Sequence, residues 1–376
     1  MKIAIFSESF FPRVNGVANS VLRVSRFLQA NGHEVLIVAP GFPASVNSDI
    51  DINRLNVKRI RYISLPKVAD FEVGASSVAK LENILRDFNP DVVHLASPFA
   101  LGMQGCRAAR NLGIPVVAVY QTDVSGFAGF YGLPKIAKFA RKWSNQIHRM
   151  STINLVPSSS TMNEFVKFGA PNVRLWGRGV DTELFSPDKR SQQIRDSWLT
   201  NGRTIVGYLG RLAPEKQIDR LSSLDENEHK VIIIGDGPIR SELEKKLPNA
   251  TFTGQLSGQE LATTLASLDV LISTGEHETF CQVIQEAMAA GIPVIAPRAG
   301  GPIDLVIEGV TGFLYEPGST KSMLNRLRIL HENEKLRKQF GFQATQIVKG
   351  RTWEAICQEL VGHYQDAIGA SMQKVA

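Results

Sequence analysis

Short, continuously apolar runs recur along this chain, and stretches with a helical spacing of apolar residues separate them. In the first half the runs are Lys2–Phe6, Glu34–Ala39, Val57–Ile63, Val92–Leu95 and Pro115–Tyr120. Strands that are apolar throughout are typical of parallel sheets with helices on both faces. The pattern therefore predicts an α/β fold around a doubly wound parallel sheet.

The same pattern starts again after a polar stretch, with runs at Thr204–Leu209, Val231–Ile234, Thr251–Thr253, Val270–Ser273 and Pro293–Ala296. We therefore expect two Rossmann-like domains, over residues 1–185 and 203–350, joined by a linker at 186–202. Residues 351–376 are predicted to form a helical tail that could pack back on the first domain. Two such domains facing a central cleft would bind ligands at the carboxyl ends of their strands.

Composition excludes several classes of protein. The 376 residues are 43% hydrophobic and 21% charged, which is ordinary for a globular protein. No apolar run approaches the ~18 residues that span a bilayer, and the first run ends at Phe6, too early for a signal peptide. The three cysteines lie far apart without CxxC spacing, which argues against a disulfide framework or a zinc site. We expect a cytoplasmic protein.

Positive charge is concentrated in the first half of the chain. Residues 1–185 hold 21 Lys and Arg against 13 Asp and Glu, a net charge of +8, and residues 186–376 have a net charge of −2. Within the first half, residues 135–149 form a basic stretch with helical spacing, which could lie on an anionic membrane. The alternative is a helix packed on the core with a solvated basic face. No nucleic-acid-binding module is visible, and no nucleic-acid partner is expected.

The residues that could carry chemistry lie mostly in the second half. Arg211 and Lys216 follow the Thr204–Leu209 strand and Gly210. Arg211 offers a phosphate group the several N–H donors of a planar guanidinium, and Lys216 offers it a compact ammonium charge. The alternative is an ordinary surface loop in which Glu215 pairs with one of the cations.

Two carboxylates frame the next segment of interest. We expect Glu278 at the N-terminus of a helix and Glu286 about two turns along on nearly the same side, where both could bind a polyhydroxylated ligand. Free N–H groups at that helix start suit a phosphate or sugar oxygen. The alternative is an amphipathic helix that packs the core, which does not account for Glu278. After a later strand, Gly300 and Gly301 allow close backbone approach.

Taken in order, these motifs resemble those of family 4 glycosyltransferases, retaining enzymes of the GT-B fold. The resemblance covers essentially the whole chain and rests on Pro12–Gly16, Gly210–Lys216, Gly235–Pro238, the Glu278/Glu286 pair and Gly300-Gly301. The segments Phe10–Val17 and Pro297–Asp304 look most similar to lipid-directed members. Those members include phosphatidylinositol mannosyltransferases, actinobacterial mannosyltransferases that act on glucuronosyl diacylglycerol, and sulfoquinovosyl diacylglycerol synthases.

The resemblance implies a role for each matching position in a donor site. Arg211 and Lys216 would hold the donor diphosphate, and Gly16 would bring its backbone N–H near it. Glu286 would bind the ribose hydroxyls. Glu278 would contact the donor sugar, helped by the backbone N–H groups of Phe280, Cys281 and Gln282.

One position departs from the family pattern. Many members have His where this chain has Gln121, and Gln cannot take a proton at neutral pH. The catalytic candidates are therefore Glu278, Arg211, Lys216 and Gln121, with the general base left open and Asp123 a possible helper. No Asp-x-Asp motif stands at a strand end, so no metal is expected. The nucleotide sugar is a substrate, and no cofactor is expected.

The resemblance favours the transfer of a hexose to a lipid acceptor in cell-envelope glycolipid synthesis. The favoured hexose is mannose, with GDP-mannose as its donor. In lipid-directed members the first domain touches the membrane, so the predicted contacts with an anionic membrane surface are Lys135, Lys138, Arg141, Lys142 and Trp143. The protein would associate peripherally with the inner face of the cell membrane. Open alternatives are a UDP-dependent glucosyl or sulfoquinovosyl diacylglycerol transferase, a nucleotide-sugar epimerase and a non-catalytic nucleotide-sugar-binding protein.

Overall fold

A computed structural model of the protein describes residues 1–12, 15–42, 52–64, 72–97, 99–121, 134–198 and 202–373. The chain divides into two compact units. The first unit contains residues 1–177 and 356–376, and the second contains residues 178–355.

The first unit is built on a seven-stranded parallel sheet with the strand order β3-β2-β1-β6-β7-β8-β9. Its strands are β1 (Lys2–Phe6), β2 (Glu34–Pro40), β3 (Asn56–Ile60), β6 (Val92–Leu95), β7 (Val116–Val119), β8 (Ile153–Val156) and β9 (Val173–Leu175), and β4 (Tyr62–Ser64) pairs with β5 (Glu72–Gly74) in a separate antiparallel ribbon. Its helices are α1 (Gly16–Ala30), α2 (Val78–Phe88), α3 (Ala100–Asn111), α4 (Pro134–Met150) and α5 (Ser159–Lys167).

The second unit is built on a six-stranded parallel sheet with the order β12-β11-β10-β13-β14-β15. Its strands are β10 (Thr204–Leu209), β11 (His229–Ile234), β12 (Thr251–Gly254), β13 (Val270–Ile272), β14 (Val294–Pro297) and β15 (Gly312–Tyr315). Its helices are α6 (Gln192–Ser197), α7 (Arg240–Lys246), α8 (Gly258–Ala266), α9 (Gln282–Ala289), α10 (Pro302–Leu305), α11 (Thr320–Glu332) and α12 (Glu334–Val348); the last helix, α13 (Trp353–Met372), runs from the end of this unit into the first.

The alternation of apolar side chains along β10 shows why this sheet is covered on both faces. Ile205 belongs to one buried hydrophobic cluster of the second unit, and its neighbour Val206 and Tyr208 belong to the other. Successive side chains of a strand point to opposite faces, so a strand that is apolar throughout needs a core on each side. This confirms the predicted fold class of two doubly wound α/β domains.

The observed division of the chain differs from the expected domain bounds. Residues 186–198 are not an extended linker, because a short 3₁₀ turn and α6 pack into the second unit. Arg190 and Arg195 both bind Asp269, at N–O distances of 2.7 and 2.9 Å. The first unit ends at residue 177 rather than 185, and the tail returns to it.

Contacts of α13 within the first unit explain the return of the tail. The hydroxyl of Tyr364 lies 2.6 Å from Nδ1 of His94, which is buried on β6. The indole Nε1 of Trp176 donates to the carbonyl oxygen of Ile356 at 3.0 Å. Residues 356–373 are therefore a structural part of the first unit.

Candidate donor site

The strand order of the second unit brings two loops together at the carboxyl ends of β10 and β13. These strands are neighbours in the sheet but are separated by β11 and β12 in sequence, so the chain reverses its winding direction here. Ligands of open α/β sheets bind at such a switch point, because the loops after the two strands diverge and leave a crevice. The candidate residues 210–216 and 273–286 follow these two strands.

The loop after β10 is shaped by the turn that follows β11. The backbone N–H of Leu212 donates to the carbonyl oxygen of Asp236 at 2.9 Å. A Cβ atom on Gly237 would lie 2.3 Å from the carbonyl oxygen of Leu212, so the close approach of the two segments requires glycine. The segment Gly235–Pro238 is thus the turn between β11 and α7, and it supports the loop that carries Arg211.

Each of the two predicted phosphate-binding cations is paired with a carboxylate. Nη2 of Arg211 lies 2.5 Å from Oε1 of Glu215, and Nζ of Lys216 lies 2.5 Å from Oε1 of Glu278. The guanidinium of Arg211 is 53% exposed, whereas Glu215 is 4% exposed. Burial alone would lower the pKa of Lys216, but the charge and hydrogen bond of Glu278 outweigh burial, and the pKa is raised. Lys216 is therefore fully protonated at neutral pH.

The paired glycines after β14, Gly300 and Gly301, allow the backbone of residues 278–280 to pack closely against them. The N–H of Gly301 donates to the carbonyl oxygen of Glu278 at 2.7 Å. A Cβ on Gly300 would lie 2.3 Å from that same oxygen, and a Cβ on Gly301 would lie 2.4 Å from the carbonyl oxygen of Phe280. These contacts fix the segment that presents the Glu278 side chain to Lys216.

The helix that follows Glu278 begins later than the sequence suggested. α9 starts at Gln282, so Glu278 precedes the helix and Glu286 lies about one turn into it. The prediction that Glu278 stands at the helix N-terminus was wrong. The reason is Cys281, which caps the helix in the left-handed conformation with φ 72° and ψ 69° and so separates the loop from the helix.

Within the described residues no side chain caps the start of α9, and the first N–H groups of any helix have no acceptor within the helix. The thiol of Cys281 is buried, and burial together with the charge of Glu278 raises its pKa. Cys281 is thus a neutral thiol at neutral pH.

Arg178 lies in the electrostatic environment of Glu278 and Glu286, which the sequence did not reveal. It is half-buried, burial lowers its pKa, and the charges of Glu278 and Glu286 oppose that shift. The neighbouring carbonyl of Gly179 accepts a hydrogen bond from Nε2 of Gln282 at 3.0 Å. The one available signal was an isolated charge between two glycines, Gly177 and Gly179.

Two predicted donor and catalytic residues, Gly16 and Gln121, belong to the first unit. Gly16 is the first residue of α1, where Oδ1 of Asn15 accepts from the N–H groups of Val17 and Ala18. Gln121 is 9% exposed and follows β7. Their roles toward a donor stay predictions. Asp123 lies outside the described residues.

The predicted membrane contacts on α4 differ in exposure. Lys138, Arg141 and Lys142 are exposed. Trp143 is half-buried, packs against the core of the first unit and donates from Nε1 to the carbonyl oxygen of Phe99 at 3.3 Å. The indole is therefore held by the protein core, in contrast to the three cations. The side chain of Lys135 lies outside the described residues.

Comparison with known proteins identifies the family. The model of glycosyltransferase family 4 matches residues 14–184, and the model of glycosyl transferases group 1 matches residues 190–347. A GDP-mannose-dependent alpha-mannosyltransferase of Mycobacterium tuberculosis is 44% identical over 100% of this chain and 99% of its own length. The chain belongs to glycosyltransferase family 4.

Two further relatives extend the comparison. The sulfoquinovosyl transferase SQD2 of Arabidopsis thaliana is 32% identical over 94% of this chain and 71% of its own length. The crystal structure of Anabaena HepE in complex with UDP matches the fold with a TM-score of 0.80 at 21% identity, over 97% of this chain and 100% of the other. Both agree with the GT-B architecture of this family 4 enzyme.

Two further observations concern metals and membranes. Among the residues that the structure describes, no group of three or more His, Cys, Asp or Glu is arranged to hold a metal ion. No helix in that part of the chain is both long enough and apolar enough to cross a membrane.

Proposed function

We propose that this glycosyltransferase is a retaining α-mannosyltransferase that moves mannose from GDP-mannose to a membrane glycolipid or phospholipid. The observation that carries the proposal is the convergence of Arg211, Lys216 and Glu278 at the switch point of the second unit. A nucleoside diphosphate sugar presents a diphosphate, a ribose and a sugar to such a site, and each of these groups has a chemical counterpart among the residues there.

The diphosphate has two kinds of partner in this proposal. The exposed guanidinium of Arg211 offers a planar fork of donors and Lys216 offers a point charge. The backbone N–H groups of Phe280, Cys281 and Gln282 would add partial positive charge. During transfer, negative charge develops on the leaving phosphate, and donors placed beforehand stabilise that charge most.

The two carboxylates would bind hydroxyl groups of the donor. Glu286 would accept hydrogen bonds from the ribose, and Glu278 would contact the mannose. The acceptor oxygen would bond to the anomeric carbon as the bond to phosphate breaks, on the same face of the sugar, and the acceptor's hydroxyl proton would pass to the leaving phosphate oxygen of the nucleoside diphosphate. No protein nucleophile is assigned, and Gln121 would position a substrate because its amide cannot take a proton at neutral pH.

We also propose that the first unit holds the acceptor at the inner face of the cell membrane. The support is the net positive charge of residues 1–185 and the exposed cations Lys138, Arg141 and Lys142 on α4. Positive side chains near an anionic bilayer surface attract the protein without insertion. We further propose that transfer needs no metal ion, so activity in excess EDTA should equal activity without it.

The donor base is tested by ligand-dependent thermal unfolding with GDP, GDP-mannose, UDP and UDP-glucose. A ligand that binds only the folded state stabilises it by about 2.7 kcal/mol at 100 times its Kd. Stabilisation by the GDP compounds alone supports mannosyl transfer. Stabilisation by the UDP compounds alone supports the second candidate, a UDP-dependent glucosyl or sulfoquinovosyl transferase, which the likeness to SQD2 favours.

The site itself is tested by Lys216→Ala and Glu286→Ala in a transfer assay with lipid extract as acceptor. We expect each to lower kcat/KM at least 100-fold, because a phosphate cation and a ribose acceptor are lost. Lys338→Ala is the control, since Lys338 forms an exposed pair with Glu334 on α12. Unchanged turnover in both site variants would overturn the assignment.

A further inference from the structure

A second ion pair joins the two loops that carry Lys216 and Glu278. Nη1 of Arg220 lies 2.6 Å from Oε1 of Glu276, and the two side chains are part-buried, at 17% and 19% exposed. Glu276 lies two residues before Glu278, in the loop after β13. Arg220 lies four residues after Lys216, in the 3₁₀ turn Ile218–Ser223. The Arg220–Glu276 pair therefore spans the same two loops as the Lys216–Glu278 pair.

The start of the loop after β13, residues 274–276, lies directly against Lys216. The hydroxyl of Thr274, whose side chain is fully buried, donates to the carbonyl oxygen of Lys216 at 2.5 Å. A Cβ atom on Gly275 would lie 3.3 Å from Oε1 of Glu278 and 3.4 Å from Cδ of Lys216. A shift of residues 274–276 would therefore change the position of Glu278 relative to the Lys216 side chain.

Both members of the Arg220–Glu276 pair are charged at neutral pH. Burial opposes the charge of Glu276, but the hydrogen bonds from Arg220 and from the N–H of Gly318 outweigh burial, and the pKa is lowered. Burial also opposes the charge of Arg220, but the hydrogen bond to Glu276 outweighs it, and the pKa is raised. The N–H of Gly318 lies 2.7 Å from Oε1 of Glu276, a backbone contact that any residue except proline can make. The link between the two donor loops thus depends on the side chains of Arg220 and Glu276.

The Arg220–Glu276 pair can persist when a donor binds. In the proposed function Lys216 turns to the diphosphate and Glu278 turns to the sugar, so the direct contact between these two side chains is weakened. Arg220 and Glu276 are not assigned to the donor, and nothing in the proposed reaction requires their pair to open. Groups placed beforehand stabilise a transition state most, and a displacement of about 1 Å can lower the rate about 100-fold. A lasting link between the loops would preserve that placement.

We propose that Arg220 and Glu276 are positioning residues for the donor. Their ion pair holds Lys216 and Glu278 at the separation that donor binding requires. The inference rests on the proposed function of this site, but it requires a nucleoside diphosphate sugar only and holds for either base. The pair acts through Lys216 and Glu278 rather than by contact with the donor. Its loss therefore weakens donor binding and leaves the KM for the acceptor unchanged.

The test is a double-mutant cycle in the full chain, with Arg220→Ala, Glu276→Ala, the variant that has both changes, and the control Arg195→Ala. Arg195 matches Arg220, because its side chain is also 17% exposed and pairs with a carboxylate, Asp269, at 2.9 Å. Asp269 precedes β13, at the opposite end of that strand from the donor loop. For each protein we would measure the Kd of GDP and of UDP by calorimetry, the KM of donor and acceptor, kcat and the Tm.

We expect Arg220→Ala and Glu276→Ala each to raise the Kd of the bound nucleotide and the donor KM about tenfold, with the acceptor KM within about twofold of wild type. The double variant should lose no more donor affinity than the worse single variant, because both changes remove the same interaction. Arg195→Ala should lower the Tm as Arg220→Ala does, and should leave the donor constants within about twofold of wild type.

Three results would overturn the inference. The first is a nucleotide Kd and donor KM within about twofold of wild type in both single variants, whatever their Tm. The second is full addition of the two single losses in the double variant, because the residues would then act separately. The third is an equal loss of donor affinity in Arg195→Ala and Arg220→Ala, because general destabilisation would then explain both.

The wild-type protein separates this inference from the proposed function. If it binds UDP and not GDP, the mannosyl assignment fails, while the UDP affinities of the variants still test the Arg220–Glu276 pair. If it binds neither nucleotide, both proposals fail.

Discussion

Glu8 is a buried carboxylic acid just beyond the carboxyl end of β1. It is 4% exposed, and its oxygens accept from the N–H groups of Gly74 at 2.6 Å and Leu101 at 2.8 Å. Burial raises its pKa to about 7, against the opposing effect of these backbone donors and of Gly102. The side chain thus ties β5 and the start of α3 to the first strand, and it titrates near neutral pH.

The raised pKa of Glu8 predicts a specific dependence of stability on pH. Because the folded pKa lies above the unfolded value of 4.5, this group contributes stability that is full below pH 4.5 and is lost as the pH rises through about 7. The loss is at most about 3 kcal/mol. Urea unfolding of the wild type and of Glu8→Gln from about pH 5 to 8.5 measures this loss. A difference in the free energy of unfolding between the two proteins that does not change with pH would contradict the prediction.

Gln285 is a buried amide in α9. Its side chain is fully buried, and within the described residues neither Oε1 nor Nε2 has a hydrogen-bond partner. A buried amide without partners destabilises the folded state by about 1–3 kcal/mol. We expect Gln285→Met to raise the free energy of unfolding by about 1–2 kcal/mol, because the volume is kept and the amide is removed.

Chemical denaturation of Gln285→Met and of Gln192→Met measures this effect. Gln192 is exposed at the start of α6, where its Nε2 donates to Oδ1 of Asp196 at 2.7 Å. The control should change stability by no more than about 0.5 kcal/mol. Destabilisation of Gln285→Met would show that the amide is satisfied in solution.

At the scale of elements, local sequence predicted most strands and failed at α9. Lys2–Phe6, Val92–Leu95 and Thr204–Leu209 are strands with the expected bounds, because continuous burial leaves an uninterrupted apolar run. The start of α9 was missed because its cause lies elsewhere in the chain. Gly301 holds the carbonyl oxygen of Glu278, and Cys281 then takes a left-handed conformation that its residue type does not favour.

The contact between the Gly300 loop and the Glu278 segment can be isolated with two glycine variants. Gly300 and Gly318 have φ angles of +59° and +77°, but only at Gly300 would a Cβ meet a neighbour, the carbonyl oxygen of Glu278 at 2.3 Å. Gly318→Ala should therefore cost about 1 kcal/mol from backbone strain alone. Gly300→Ala should cost about 3 kcal/mol, because the loop must also move.

Thermal unfolding and nucleotide titration check this difference. Gly300→Ala should also weaken binding of the nucleoside diphosphate, because the Glu278 segment loses its support, whereas Gly318→Ala should bind as wild type does. Equal losses of stability in the two variants would contradict this expectation. They would mean that the Gly300 loop moves away from the added methyl group without any further loss of folding free energy.

At the scale of the whole molecule, the two series of apolar runs predicted two domains but placed the end of the first at residue 185 rather than 177. Residues 186–198 are polar, as linkers are, but their cations bind a distant partner, Asp269, whose carboxylate is 10% exposed. A pairing across some 75 positions leaves no local pattern in the sequence. The sequence raised the return of the tail to the first domain but not the contact that holds it, since Tyr364 and His94 give no joint signal until the fold brings them together. The same limit concealed the electrostatic coupling of Arg178 to Glu278 and Glu286.

The uneven charge of the chain predicts which part of the molecule binds an anionic membrane surface. Lys138, Arg141 and Lys142 are exposed on one basic helix of the first unit. Each cation near an anionic surface contributes about 1 kcal/mol, so replacing all three with Gln should weaken binding to vesicles that contain phosphatidylglycerol by about 100-fold. Raising the salt concentration from about 50 to about 300 mM should also weaken vesicle binding by the wild-type protein, because it shortens the screening length.

Vesicle sedimentation measures this binding, and three exposed lysines of the second unit supply the matched control. Lys245, Lys338 and Lys349 are each exposed, and their joint replacement with Gln removes the same net charge from the chain. If the two triple variants lost binding equally, net charge would govern adsorption. A loss confined to the α4 variant places the contact on that helix, because attraction to a charged surface falls off within about one screening length of it.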